Sequence, residues 1–136
     1  MKQKTTIATI SESPENTESA AVISVGAENA EFANLTASLA EIRKLKGVLG
    51  YILRSNNSAI IDLNEQDKII EYAILSTQIS ESSLEIAKQF NLADVESVLV
   101  EGKNVKVLCM NIGENRISIF MEKTATHAWI IKRILL

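Results

Sequence analysis

Cys109 and His127, the only cysteine and the only histidine in the sequence, are the one pair that could act together as nucleophile and base. Cys109 lies in an apolar run, Val105 to Met110, whose alternation is typical of a β-strand. A thiol buried among apolar side chains keeps its proton and is a poor nucleophile. The residues therefore favour an inert Cys109, with His127 at a helix start or on the surface. A Cys/His thiol enzyme is the minor alternative.

The carboxylates offer no clearer catalytic pair. Asp62, Glu65 and Asp67 precede a long helical pattern, where the helix macrodipole stabilises negative charge, so a structural role accounts for them. The segment 47–50 (Gly-Val-Leu-Gly) comes nearest to a phosphate-binding loop, but it leads into a strand rather than into a helix N-terminus. The sequence predicts no catalytic residue and no bound cofactor.

Metal, redox and membrane chemistry are equally unsupported. A single cysteine forms no intrachain disulfide, and a single histidine leaves no Cys/His cluster for zinc. Both facts fit a reducing cytoplasm. No stretch approaches the roughly 20 apolar residues of a membrane helix, and the first seven residues lack the continuous apolar segment of a secretory signal. We therefore expect a cytoplasmic protein with no metal site and no membrane insertion.

The formal net charge of −3 is unevenly distributed along the 136 residues. Residues 1–33 contain five glutamates and two lysines, whereas residues 34–136 contain twelve acidic and twelve basic side chains. Residues 1–31, rich in Ser, Thr and Glu, are predicted to form a flexible acidic tail ahead of one domain, residues 32–136. The tail's apolar patch, Ala20 to Val25, is either a short strand or a docking peptide. Nucleic-acid binding is not expected, because the domain is neutral.

Helical spacing opens the domain. Apolar residues from Phe32 to Leu45 recur three or four apart and predict a first helix. Asn29 or Asn34 is positioned to cap its start, and Gly47 is positioned to cap its end in a left-handed conformation.

A predicted hairpin follows this helix. Residues 48–53 are apolar on both alternating faces, as a central strand requires, and Gly50 leaves room for a close neighbour. The polar residues 55–58 then provide a turn into a second strand, residues 59–63.

The segment from about Glu65 to Phe90 contains no Gly or Pro and predicts a long amphipathic helix. Its apolar face is broad, includes Ile70 and Ile74, and is predicted to be buried. Beside that face lies a stripe of small residues, which permit close approach by another backbone. Either the domain's own sheet or a helix of a partner can occupy that position. The stripe consists of Ala73, Ser76, Thr77, Ser80, Ser83 and Ala87.

Three strands and a last helix complete the predicted order. The strands cover residues 95–101, 105–110 and 116–122, with turns containing Gly and Asn between them. In the middle strand, alternation places residues 107 and 109 on one face and residues 106, 108 and 110 on the other. The helix covers residues 125–136, with Thr124 as its cap. Its predicted inward face consists of Ala128, Ile131 and Leu135. The indole of Trp129 is large enough for either a core residue or an interface anchor, and the core is favoured.

The hairpin and the three-stranded meander predict an α+β fold with a central five-stranded antiparallel sheet. The order is helix, strand, strand, helix, strand, strand, strand, helix. Because residues 48–53 are apolar on both faces, helices must cover both sides of the sheet.

This succession resembles the roadblock/dynein light chain family over residues 35–136. The residues that carry the resemblance are 47–53 (Gly-Val-Leu-Gly-Tyr-Ile-Leu), 60–62 (Ile-Ile-Asp) and 98–102 (Val-Leu-Val-Glu-Gly), with the long Ala/Ser-containing helix between the last two. The chain departs from the family at residues 56–57 (Asn-Asn), where an Asp-Gly hairpin is common. It also departs at residues 126–128 (Thr-His-Ala), where an Asn-Leu-Gly-like helix entry is common.

The resemblance implies a sheet with the long helix on one face and the two terminal helices on the other. It also implies a dimer, in which the edge strand after the long helix joins its symmetry mate and the two long helices pack together. The implied dimer interface consists of Ala73, Ser76, Thr77, Ser80, Ser83, Ala87, Val95, Ser97, Val98, Leu99 and Val100.

The function implied by the resemblance is that of a non-catalytic dimerising scaffold that binds or regulates a Ras-like small GTPase. Its expected partners are a second copy of the chain or a related roadblock-like chain, and the GTPase. Two alternatives remain open at this point. One is a motor-associated light chain that attaches cargo, and the other is a profilin-like or longin-like interaction module.

Overall fold

One antiparallel sheet organises the part of the chain that the structure, a computed structural model, describes: residues 9–10, 19–24 and 30–135. The strand order is β1-β2-β4-β3-β7-β6-β5. The strands are β1 (Thr9–Ile10), β2 (Ser19–Ser24), β3 (Val48–Arg54), β4 (Ser58–Leu63), β5 (Ser97–Glu101), β6 (Val105–Ile112) and β7 (Asn115–Glu122). The helices are α1 (Ala30–Ile42), α2 (Ile69–Phe90) and α3 (His127–Leu135), and a one-turn 3₁₀ helix (Gln66–Lys68) precedes α2.

The five predicted strands form the continuous part of the sheet from β4 to β5, and all of their pairings are antiparallel. The predicted α+β fold is therefore confirmed. Val95, which was predicted to lie in a strand, lies instead in the link before β5. The β3–β4 turn is closed by Ser55, whose backbone N–H donates to the Ser58 carbonyl at 2.8 Å.

The apolar patch of the N-terminal segment extends the sheet beyond the predicted five strands. β2 pairs with β4 over six positions, from Ser19 opposite Leu63 to Ser24 opposite Ser58, and β1 pairs with β2. The strand interpretation of the patch is thus confirmed for residues 19–24. Of the rest of the predicted flexible tail, residues 9–10 lie in β1 and residues 30–31 lie in α1, and the others lie outside the described residues.

Alternation along the strands separates the core into two layers, one on each face of the sheet. α1 and α3 cover one face, and α2 covers the other, as the resemblance implied. The predicted alternation of β6 is also confirmed, because Leu108 and Met110 belong to the layer under α1 and α3, whereas Val107 and Cys109 belong to the layer under α2. In the α2 layer the Tyr72 and Phe120 rings stack with centroids 4.4 Å apart, a contact worth about 1 kcal/mol beyond area burial.

The terminal helices correct two predictions about their ends. α1 begins at Ala30, so Asn34 lies inside the helix and is not its cap, and Asn29 lies outside the described residues. α3 begins at His127, so Thr124 is too far from the helix start to cap it. Gly47 has the predicted left-handed conformation, with φ of +90°, but α1 has already ended at Ile42.

The inward face of α3 was also predicted wrongly. Ile130 and Ile134 are its buried residues, whereas Leu135 is exposed and Trp129 is 45% exposed instead of belonging to the core. The Arg133 guanidinium lies 5.6 Å from the centre of the Trp129 ring. Around the helix Trp129 falls between Lys132 and Arg133, on the polar side, so its helical position predicts exposure although its size suggested the core.

Gly50 has a structural role that the sequence partly predicted. It lies at a register irregularity between β3 and β7 and has φ of +154°. A Cβ at this position would lie 2.2 Å from the Asp62 carbonyl oxygen and 2.7 Å from the Leu63 Cα. The close neighbour is therefore the backbone of the adjacent strand, β4, which cannot move without breaking the ladder.

The Gly50→Ala variant is expected to lose at least about 3 kcal/mol of the free energy of unfolding, because a methyl group would collide with backbone and take up a strained φ. Denaturant-induced unfolding followed by circular dichroism measures this loss. Gly102→Ala is the matched control, because the nearest atom to its added Cβ is a single carbonyl oxygen at 3.1 Å, and we expect a change below about 1 kcal/mol. A loss below about 1 kcal/mol in Gly50→Ala would contradict this account of the sheet.

Candidate interaction interface

The small-residue stripe of α2 lies mainly against the chain itself. Ser76, Ser80, Ser83 and Ala87 are buried within a single copy of the chain. The Ser83 hydroxyl donates to the Ser80 carbonyl at 2.8 Å, and the Ser76 hydroxyl donates to a carbonyl one turn back in the same helix. Packing within the chain is therefore sufficient to explain why these side chains are small. Their assignment to a dimer interface stays a prediction.

The other two members of the stripe are half-buried. Ala73 packs against the core layer under α2. The Thr77 hydroxyl accepts a hydrogen bond from Arg54 Nη2 at 3.2 Å, which links α2 to the end of β3. Both side chains are therefore already in contact with the chain's own sheet or core, and only part of their surface is open to a partner.

The predicted edge strand is at an edge of the sheet. Among the described residues β5 pairs only with β6, so one side of its backbone has no partner strand. Ser97 and Val100 are exposed, and Val98 and Leu99 are half-buried. Val95 precedes the strand, and its carbonyl accepts a hydrogen bond from Asn111 Nδ2 at 3.1 Å. An unpaired edge of this kind is a template for strand addition.

Large exposed apolar side chains are concentrated on α2, β5 and the link between them. Of the nine in the described part of the chain, seven belong to α2, to β5 or to the link between them, and two belong to α3. The most exposed are Ile70 at 74% and Phe90 at 68%. Because most of these exposed apolar side chains lie on one helix, one strand and the link between them, they indicate an interaction site. The seven residues are Ile70, Ile74, Leu84, Ile86, Phe90, Leu92 and Val100.

Of these seven residues, the sequence assigned only Val100 to an interface, because the whole broad apolar face of α2 was interpreted as buried. A signal was nevertheless present. The apolar residues of α2 cover more of the helix circumference than one sheet can contact, and Ile70 and Ile74 extend the face to one side.

The link that joins α2 to β5 is sharply defined. Asn91 ends the helix in the left-handed conformation, with φ of 54°, and its backbone N–H donates to the Ala87 carbonyl. The Leu92 N–H donates to the same carbonyl at 2.9 Å. Asparagine is among the residues best suited to this conformation, so the cap sets the position at which the chain leaves α2 and enters the edge strand.

Comparison with known proteins adds one finding to this geometry. No family model and no curated protein matches the sequence. Among solved structures, the chain is similar to a Roadblock/LC7 domain from Streptomyces avermitilis, with a TM-score of 0.57 and 12% identity over 81% of this chain and 90% of that chain. The chain has a roadblock-like fold. At this identity the similarity concerns the fold alone.

Within the described residues, the structure does not bring Cys109 and His127 together. Cys109 lies in the layer under α2. His127 Nδ1 lies 3.1 Å from Lys106 Nζ, and Lys106 projects from β6 to the opposite face because strand neighbours alternate. The sheet therefore separates the thiol from the imidazole, and the proposed Cys/His pair does not form.

Acidic residues provide no metal site in the described part of the chain, where no group of three or more His, Cys, Asp or Glu side chains is placed to hold an ion. Asp62 forms an ion pair with Arg43, with Oδ1 3.3 Å from Nε, while Glu65 and Asp67 are exposed before α2. None of the described helices is long and apolar enough to cross a membrane.

Burial raises the pKa of the Cys109 thiol above its ordinary value, and a hydrogen bond with Ser118 opposes that increase. The Cys109 Sγ and Ser118 Oγ atoms are 3.4 Å apart. We expect alkylation by iodoacetamide at neutral pH to be at least about 100-fold slower in the folded chain than in guanidinium chloride. Mass spectrometry measures both rates, and Ser82→Cys supplies an exposed thiol on α2 as the internal control.

The same pKa shift makes stability depend on pH. The Cys109 thiol has a lower pKa in the unfolded chain than in the folded chain. Its contribution to the free energy of unfolding is therefore complete at pH values below the pKa of the unfolded thiol. It declines as pH rises, because the unfolded chain then loses a proton that the folded chain retains. Rapid alkylation of Cys109 in the folded chain would contradict its burial.

Proposed function

We propose that this chain is a non-catalytic scaffold that forms a dimer and binds or regulates a Ras-like small GTPase. The observation that carries the proposal is the unpaired edge of β5 next to the exposed apolar side chains of α2. Strand pairing between two copies would satisfy the open backbone groups, and contact between the helices would remove the apolar surface from water.

Backbone hydrogen bonds identify which groups of β5 are open. The Gly102 N–H donates to Val105 and the Glu96 carbonyl accepts from Asn111, so the even-numbered residues of this strand face β6. Alternation then directs the N–H and C=O groups of Ser97, Leu99 and Glu101 away from the sheet. A second copy, related by a two-fold axis, would present the same N–H and C=O groups in the antiparallel direction. Contact between identical surfaces of two copies is an isologous contact.

The exposed apolar residues of α2 and its C-terminal link supply the second part of the proposed contact. Ile86 and Phe90 are one helical turn apart, and Leu92 follows in the link that leads to β5. Ile70 and Ile74 form a corresponding pair one turn apart near the start of the helix. Large apolar side chains of this kind contribute roughly 1.5 to 3 kcal/mol each when fully buried, so a few of them would stabilise a dimer.

The GTPase part of the proposal rests on the roadblock-like fold, which is an analogy at the level of fold. A scaffold without catalytic residues can still regulate a GTPase by binding one of its nucleotide states more tightly. The equilibrium between the states then shifts by the ratio of the two affinities, and equal affinities produce no shift.

The double substitution Ser97→Pro and Glu101→Pro is expected to weaken dimerisation at least about tenfold, because proline removes N–H donors from the open side of β5 without touching the β5–β6 ladder. Light scattering after size-exclusion chromatography, over a concentration series, measures the change. Ser97→Ala with Glu101→Ala is the matched control, since it keeps both N–H groups. A wild-type chain that is monomeric at tens of micromolar would refute the dimer, and an unweakened proline variant would place the contact elsewhere.

A second expectation concerns nucleotide state. A Ras-like GTPase from the same genome, loaded with fluorescent GDP or with a non-hydrolysable GTP analogue, should bind the chain with affinities that differ at least about fivefold between the two states, the lower end of typical coupling. Fluorescence anisotropy titration measures both affinities. Equal affinities for the two nucleotide states would support a platform role and refute regulation of the GTPase. No binding to any such GTPase would refute this part of the proposal.

A further inference from the structure

A groove of about 1050 Å³ lies at the end of the sheet where the β3–β4 and β6–β7 turns meet α2 and the link before β5. Its α2 side is formed by Thr77, Ser80 and Leu84. On the sheet side, Arg54 of β3 is directly opposite Arg116 of β7, and both line the groove. The contact of Arg54 with Thr77 shows that this pair is on the α2 face.

The two arginines have no carboxylate partner among the described residues. The ion pairs there involve Arg43, Lys68 and Arg133, and no described carboxylate oxygen lies within 4.0 Å of Arg54 or Arg116. Arg54 donates one hydrogen bond to Thr77, which leaves most of its five N–H donors available. Like charges on directly opposite residues of a strand pair are destabilising. An anion that bridges them would remove this repulsion.

The rim of the groove determines which anion fits. Asp94, Glu96 and Glu114 line it together with the two arginines, so the formal charge of the lining is −1. Phosphate and carboxylate can both accept paired hydrogen bonds from an arginine fork. Repulsion by the three carboxylates is greater for a multiply charged phosphate than for a single carboxylate, so the lining favours the carboxylate. The carboxylates on the rim would in turn favour a positive charge close to the bound anion. The lining therefore fits a ligand of mixed charge.

We propose that this groove binds an extended segment of a partner protein that presents an Asp or Glu carboxylate to Arg54 and Arg116 and a Lys or Arg side chain to the rim. The volume accommodates several residues of peptide, and Leu84, which is partly exposed, supplies an apolar wall. The site is independent of nucleotide-state recognition. It shares Thr77, Ser80 and Val95 with the predicted dimer interface, so its test includes the oligomeric state.

The experiment uses the full chain labelled with ¹⁵N at low ionic strength. The probe is the peptide acetyl-Gly-Lys-Glu-Lys-Gly-amide, and the matched peptide has Gln in place of Glu. We expect saturable shifts of the Arg54 and Arg116 Nε–Hε resonances with the Glu peptide, and at least tenfold weaker binding of the Gln peptide. Light scattering should show an unchanged mass upon saturation. Equal binding of the two peptides, no saturable shift, or a change in mass would overturn the proposal.

Variants and a second ligand complete the test. Arg116→Gln, at an exposed position, should weaken binding of the Glu peptide at least tenfold while the spectrum stays dispersed. Lys103→Gln removes the same charge from the exposed β5–β6 turn and should change the affinity less than twofold. Inorganic phosphate that binds more tightly than the Glu peptide would overturn the assignment to a carboxylate-bearing segment, and so would equal effects of the two variants.

Discussion

Burial of the central strands on both faces is the constraint on which the rest of the molecule depends. Leu53 and Ile119 are fully buried in the layer under α1 and α3, and Ile52 and Phe120 are buried in the layer under α2. Because the central strands β3 and β7 cannot face water on either side, helices must cover both faces of the sheet. One long helix therefore has to cover a whole face, and the strand that follows it is added at the edge.

Much of this architecture could be predicted from local patterns. The alternation in β6, the double-sided apolar character of residues 48–53 and the polar turn at 55–58 are each consequences of neighbouring residues, so they are visible in one dimension. Gly50 was also detectable, although the sequence could not reveal that the backbone of β4 is what approaches it. The strand at residues 19–24 was recognised only as one of two interpretations, because small residues such as Ala20 and Ala21 show little periodicity.

The features that were missed depend on how elements pack together. The stripe from Ser76 to Ala87 was open to two interpretations, since close packing on a sheet and close packing on another helix both select small side chains. Ile70 and Ile74 were assigned to the buried face because periodicity measures the width of an apolar band, not the width of the surface that covers it. Trp129 was misplaced for a different reason, since its large indole suggested the core whereas its position between Lys132 and Arg133 on the helix predicts exposure. Pairing of Arg54 with Arg116 depends on strand register, which no local pattern contains.

The position of β2 determines which strand lies at this side of the sheet. β2 covers all six positions of β4, and β1 pairs with two of the six positions of β2. Without β2, the six residues of β4 would be an edge strand next to the central strand β3, and an uncovered edge of this length is a template for pairing with another chain. The N-terminal segment therefore keeps β4 inside the sheet, and any chain that pairs with β4 must first displace β2. This role requires neither a binding partner nor any chemistry of its own.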